Sequence, residues 1–332
     1  MKAIVYEHYG PPEVLRWKDV EKPMPKDNEI QIKTYVVTVT SGDRRVRSLD
    51  VPVGFTLLMR LALGVSKPRQ PIAGMELAGV IESVGGSVRT FAPGDRVVAF
   101  SDTAMGCYAE YKCMPENGAV AHKPPNLGFE EAAALCFGGT TALHFLRKAK
   151  LRDGETVLIN GASGGVGTAM VQLARYFGAD VTGVCSSSNG EMVRTLGARQ
   201  IIDYSREDFT RNGERYDVIV DTVGTAPFSR CKGSLKDGGR LLLVLAGLPQ
   251  MLSAPWLSAM SGKKIIAGPA SGGPEDVRFL ADLAVRGEYR PVIDRCYPIG
   301  QIVEAHRYVD AGHKKGNVVL RFDYEDAVTA AG

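Results

Sequence analysis

The stretch 156–184, TVLINGASGGVGTAMVQLARYFGADVTGV, leaves this chain little choice of fold. An apolar, β-branched run is followed at once by Ala162-x-Gly164-x-x-Gly167, and that pattern opens a segment with apolar residues at Val166, Met170, Leu173, Ala174 and Phe177. These positions form one stripe of a helix, Gly178 supplies its stop, and a second strand-like run follows. Strand, glycine turn, helix and strand make a βαβ unit with a dinucleotide fingerprint. Ala162 allows a tight turn, Gly164 lets the backbone approach a pyrophosphate, and Gly167 lets the helix pack close to the strand. The unpaired N–H groups of the first helical turn then face the anion. Ala162, Ser163, Gly164, Gly165, Val166 and Gly167 are therefore expected to cradle a dinucleotide. A turn that serves packing alone is the competing reading, and the flanking elements argue against it.

Around this unit the chain has two rhythms. Up to about residue 122 it is strand-rich, with EIQIKTYVVTV at 29–39, LAGVIESVG at 77–85, DRVVAF at 95–100 and CYAEYKC at 107–113, punctuated by Gly and Pro. Such short runs suit a closed or strongly coiled antiparallel unit. From about 123, strands alternate with helical patterns through RQIID at 199, YDVIVD at 216, RLLLVLA at 240 and KKIIAG at 263. That alternation predicts parallel strands with crossover helices. After about 267 come one helix, 275–286, and two strand-like pieces that can rejoin the first domain. The expected fold is α/β: a β-rich domain from 1–122 and 267–332, and a doubly wound parallel-sheet domain from 123–266. Within 48–70, GFTLLMRLALG has no clean period and reads either as a short helix over a pocket or as core.

Charge and cysteine usage narrow the partners. A net charge of +3 without a long Lys/Arg run speaks against nucleic acid. The apolar region near 240–260 is broken by Gly247, Pro249 and Pro255, so no membrane span is expected. The chain opens directly on an alternating strand, MKAIVY, and a cytoplasmic location is expected. Six cysteines without a Cys-x-x-Cys pair offer no obvious home for structural zinc.

At the end of the second strand of such a unit an Asp or Glu usually holds the adenosine ribose, but here the chain reads Cys185-Ser186-Ser187-Ser188. Hydroxyls and backbone N–H groups in that turn can hold a phosphate that a carboxylate would repel, so NADPH is the expected cofactor. Arg194 on the next helix can add charge or simply face solvent. The carboxyl ends of later strands, where a ligand crevice forms, bring in Asp221, Thr222 and Val223 and then Ala246 and Gly247. Gly247 also reads as a plain turn.

Motifs along nearly the whole chain resemble the medium-chain dehydrogenase/reductase superfamily, and within it the zinc-independent quinone oxidoreductase-like branch. They are MKAIVYEHYGPPEVL, GMELAGVIESVGGSV, FAPGDRVVAF, AAALCFGGTTALHFL, GETVLINGASGGVG, LGARQIIDYSREDF and YDVIVDTVG. The resemblance implies a GroES-like β-rich catalytic domain built from both chain ends around a Rossmann domain, and a homodimer. It implies that Tyr204 reaches the 2′-phosphate, that Thr140 approaches the nicotinamide ribose and that Asn317 closes over the cofactor. In zinc enzymes of the superfamily a Cys, a His and a second Cys bind the catalytic metal. Thr40, Met75 and Cys136 stand at those positions here, and a Thr hydroxyl and a Met thioether do not serve. Only Cys107 falls where the four-cysteine structural lobe would follow, so no zinc is expected. Cys136 then reads as a small buried hydrophobe.

Without a Lewis acid, an electron-poor acceptor suits hydride transfer better than a plain alcohol does. The expected activity is NADPH-dependent reduction of quinones or α,β-unsaturated carbonyls. Thr40, Asp43 and Arg47 are the candidate catalytic groups; an Asp43–Arg47 pair on one helical turn is the structural alternative. Phe55, Leu58 and Met59 line an apolar pocket or belong to the core, and His144 reads as a packed helix histidine. An idle NADPH-binding protein and an alcohol dehydrogenase-like enzyme are the competing functions.

Overall fold

The computed structural model describes residues 1–324; positions 325–332 of the expected second piece of the β-rich domain lie outside them. Two compact units emerge, one from Met1–Asp50, Leu58–Phe137 and the chain from Gly273, the other from Val51–Leu57 and Gly138–Gly272.

The second unit is built on a six-stranded sheet. From one edge to the other its strands are Gln200–Asp203, Asp180–Cys185, Thr156–Asn160, Tyr216–Asp221, Leu235–Leu243 and Lys264–Ala267, all parallel. Chain order reverses between Thr156–Asn160 and Tyr216–Asp221, the switch point at which a doubly wound sheet opens its ligand crevice. Val157, Leu158, Ile159, Val218, Ile219 and Val220 are buried without alternation, as expected where helices cover both faces. Leu158, Ile219, Leu241 and Ile265 from four neighbouring strands share one apolar cluster.

In the first unit a seven-stranded, mainly antiparallel sheet runs through Ile293–Pro298, Asn317–Arg321, Glu29–Val39, Glu76–Val84, Arg96–Phe100 and Val120–His122, with Tyr111–Pro115 also pairing with Glu29–Val39. The late strand Asn317–Arg321 lies antiparallel to Glu29–Val39, with Val318 opposite Val39 and Arg321 opposite Val36. Lys2–Val5 and Arg16–Asp19 form a separate hairpin pair.

Two local alternatives that the sequence left open are narrowed. Within 48–70, Thr56–Leu63 is a helix but not core: none of its residues is buried, and Leu57, Leu58 and Leu61 stand exposed. Its apolar content without a buried stripe explains why no period was legible. Asp43 and Arg47 do share the helix Ser41–Ser48, yet they do not pair. Arg47 reaches Asp310 with both carboxylate oxygens within 2.7 Å and also donates to Gly10 O, whereas Asp43 turns back to Thr40. Among the described residues no helix is long and apolar enough to cross a membrane.

Candidate functional site

Asn160 ends the strand that leads into the glycine turn. The residue with the left-handed backbone that makes this turn tight is Gly161, at φ +84°, rather than Ala162, which is fully buried. A Cβ on Gly161 would lie 2.5 Å from both Thr222 Oγ1 and Val223 Cγ1. Gly167 is required for another reason, since a Cβ there would sit 2.0 Å from Gly161 O. Gly164 differs from both: a Cβ would meet nothing closer than Gly161 O at 3.8 Å. The protein's own packing does not demand glycine at 164, so this space suits the close approach of a ligand.

Gly164 is the N-cap of the helix Gly165–Tyr176 and makes no side-chain cap, which leaves the first-turn N–H groups for an anion. Beside the cradle, Asn189 Nδ2 donates to Ser163 Oγ at 3.2 Å, while Asn189 Oδ1 is buried without a partner. Asn189 was not singled out from sequence; an Asn after three serines reads as more turn. The open space at Gly164 and the helix N-terminus fit a pyrophosphate-bearing cofactor.

Across the switch point, Asp221 is buried and completes the wall. Its Oδ1 accepts from Asn160 Nδ2, Val223 N and Gly224 N, and its Oδ2 accepts from Ala226 N. Asp221, expected at the ligand crevice, stands at the carboxyl end of its strand, and its carboxylate shapes the loop 222–226. Ala246 is buried at the end of the next strand, and Gly247 caps the helix Leu248–Ser261, its N–H held by Gln250 Oε1 at 2.6 Å. Thr140 is buried in the helix Cys136–Ala149, against the backbone of Gly272. His144 on the same helix approaches Ser271 through Nδ1.

The turn expected at the adenosine end is a short 3-10 segment, Ser187–Asn189, after Ser186. Ser187 and Ser188 are exposed, and Ser186 and Ser188 share a hydrogen bond at 3.1 Å. Cys185 is closed off at 1% exposure, so its thiol is not presented to a ligand, and burial raises its pKa. Tyr204 is 63% exposed.

Thr40, Asp43 and Arg47 belong to the first unit, as does Asn317, whose amide is engaged by Val292 O at 3.1 Å. Thr40 N-caps the helix Ser41–Ser48 in a capping box: Asp43 N donates to Thr40 Oγ1 at 3.0 Å, and Asp43 Oδ2 accepts from Thr40 N at 2.8 Å and Thr40 Oγ1 at 2.6 Å. Burial pushes the Asp43 carboxyl up to about 6 against these bonds, and Oδ1 remains buried without a partner. Glu76, equally buried, is pushed up to about 7; Thr38 Oγ1 and Phe137 N hold its two oxygens, each at 2.6 Å. The charge of Asp43 adds to the rise at Glu76, a residue that the sequence had not singled out.

At the three positions where zinc relatives carry ligands, Thr40 Oγ1 lies 3.8 Å from Met75 Sδ, and Cys136 is fully buried with its thiol pushed well above the usual range by burial. Hydroxyl, thioether and protonated thiol do not fit a zinc ion. Among the described residues no group of three or more His, Cys, Asp or Glu is arranged to hold a metal.

Comparisons with known proteins place these features in context. Residues 26–125 match the family described as alcohol dehydrogenase GroES-like domain, and 196–320 match the family described as zinc-binding dehydrogenase. The pig protein named quinone oxidoreductase is 32% identical, over 95% of each chain. A structure of the quinone oxidoreductase from Coxiella burnetii superposes with a TM-score of 0.83 at 27% identity, covering 97% of this chain and 99% of that one. The Escherichia coli quinone oxidoreductase, solved in complex with NADPH, shares the fold at TM-score 0.78 and 24% identity, covering 97% of this chain and all (100%) of that one.

Proposed function

This chain belongs to the medium-chain dehydrogenase/reductase superfamily, in its quinone oxidoreductase-like branch, and from that premise we propose that it uses NADPH to reduce quinones or α,β-unsaturated carbonyls without zinc. It is an NAD(P)H-dependent oxidoreductase. The observation that carries the finer proposal is the cradle at Gly164, open at the switch point of a doubly wound sheet, together with a Thr and a Met where zinc enzymes need ligands.

In this proposal Gly164, Gly165, Val166 and Gly167 hold the pyrophosphate through backbone N–H groups, with Ala162 and Ser163 forming the turn. Ser186, Ser187, Ser188 and Tyr204 receive the adenosine 2′-phosphate. Thr140, Ala246, Gly247 and Asn317 flank the rest of the cofactor, and Cys185 contributes backbone only. When bound, the reduced nicotinamide supplies a hydride. The chain's own part is to orient the acceptor and to return a proton. Thr40 Oγ1 turns its hydrogen, donated at rest to Asp43 Oδ2 at 2.6 Å, to the reduced acceptor, and a proton from the Asp43 carboxyl replaces it. Arg47, locked to Asp310, fixes the helix that carries both and is not itself a catalytic group. A small-molecule acceptor, a homodimer and a cytoplasmic location complete the proposal.

Steady-state NADPH oxidation against a panel of quinones and enals tests it. Turnover with several acceptors, tighter binding of NADPH than NADH and less than about one tenth of a zinc per chain by elemental analysis are expected. Tight NADPH binding with no turnover on any acceptor would instead favour an idle cofactor-binding protein.

A further inference from the structure

The strand Asp180–Cys185 ends without a carboxylate of its own, but one stands next to it. Parallel pairing sets Asp203, the last residue of Gln200–Asp203, opposite Cys185, beside the serine turn. Asp203 Oδ1 accepts from Ser205 N at 3.0 Å and from Ser205 Oγ at 2.8 Å. These bonds draw the carboxyl below its usual range against burial, and the Ser187 hydroxyl adds to the effect. The group is therefore an anion at neutral pH.

Its second oxygen is differently placed. Oδ2 is buried and makes no hydrogen bond, and Arg206 Nε lies 3.8 Å away on a side chain 82% exposed to solvent, where a single ion pair is worth little. Ser186 and Ser188 bond to each other, so neither is committed to Asp203. The turn that is to receive the adenosine ribose thus borders an anionic oxygen with unused acceptor capacity. A free ribose hydroxyl can donate to such an oxygen, whereas a phosphate dianion is repelled by it.

We infer that Asp203 is a cofactor-discriminating residue of this chain, a carboxylate supplied by the neighbouring strand that favours a free adenosine 2′-hydroxyl and opposes a 2′-phosphate. It holds the NADPH preference below what the serine turn alone would give. This rests on the proposal that the unit binds a nicotinamide dinucleotide. A purely structural Asp203, serving only to close the turn at Ser205, would leave cofactor preference untouched.

The test uses the full chain with Asp203→Asn, and with Asp203→Ser should the first variant lose its fold. Dissociation constants for NADPH and NADH are read from nicotinamide fluorescence, and those for 2′,5′-ADP and 5′-AMP from calorimetry, so that the adenosine end is reported without turnover. Removing the charge is expected to tighten NADPH and 2′,5′-ADP about tenfold, while NADH and 5′-AMP change by less than about twofold or weaken. An NADPH-to-NADH ratio unchanged from wild type in the folded variant overturns the role of Asp203 alone. Wild type that binds neither dinucleotide overturns the dinucleotide proposal and this inference with it.

Discussion

Asn160 Nδ2 donates to Asp221 Oδ1 at 3.0 Å and ties together the carboxyl ends of the two strands between which the sheet reverses its order. The bond joins the residue before the glycine turn to the residue that organises the opposite loop. Asp221→Ala would take from the Asn160 amide one of its two partners, leaving Thr225 Oγ1, and would orphan three backbone N–H groups at once. A loss of about 3 kcal/mol or more in unfolding free energy is expected, together with weaker dinucleotide binding. Urea unfolding followed by circular dichroism checks the first, and a fluorescence titration the second.

Two glycines of the cradle should respond oppositely to the same change. Gly164→Ala adds a methyl group into open space at an extended backbone position, φ −79° and ψ 173°, so stability should change by no more than about 1 kcal/mol, the cost of alanine at an N-cap. Its NADPH affinity should fall at least about tenfold, because the methyl takes the room left for the pyrophosphate. Gly167→Ala drives a methyl onto Gly161 O and should lower stability by about 1–3 kcal/mol or more. Equal melting temperatures for the two variants would contradict this division of roles.

How much of this was legible in the sequence depends on the span of each interaction. The cradle was readable because strand, turn and helix are contiguous, although the tight turn expected at Ala162 is made by Gly161, the residue with positive φ. Arg47 was read as a candidate catalytic group, with a local pair to Asp43 as the structural alternative, yet its partner Asp310 is 263 residues away, and no short-range rule reaches so far. Asp203 escaped notice for a similar reason: its place beside Cys185 is set by the register of two parallel strands, not by any motif. The exposed helix Thr56–Leu63 stayed ambiguous because its leucines follow no buried stripe.

Acidity should mark the first unit. Glu76 and Asp43 bind their protons more tightly folded than unfolded, since their carboxyls are raised to about 7 and about 6 from 4.5 and 3.8. Their stabilising contribution is complete below the unfolded values and is lost as pH rises through the folded ones. His306, buried and lowered to about 3 from 6.5, works in the other direction: its contribution is present above 6.5 and lost as pH falls. Glu76→Gln removes one carboxyl from this balance. Its melting temperature relative to wild type should therefore improve between pH 5 and pH 8, and a constant difference across that range would count against a raised Glu76.

Thr40 serves as helix cap and, in the proposed mechanism, as the hydroxyl that hands over a proton. Thr40→Ser keeps both functions and should hold kcat within about threefold of wild type. Thr40→Val removes both, at a cost of about 1 kcal/mol in stability and a fall in kcat of roughly a hundredfold. Stopped-flow reduction separates the two effects, since a merely weakened cap would shift melting without changing the rate in the folded enzyme.

The late strand Asn317–Arg321 has a consequence for the newborn chain. Val36, Val37, Thr38 and Val39 emerge early from the ribosome but meet their partners Arg321, Leu320, Val319 and Val318 only after the intervening sequence has been made. At about 5–20 residues per second that is a wait of roughly 15–60 seconds. Throughout it a valine-rich edge stands open to any neighbouring strand. Translation that stops short of residue 317 should therefore yield chains that associate with one another, even when the segment 138–272 has already folded.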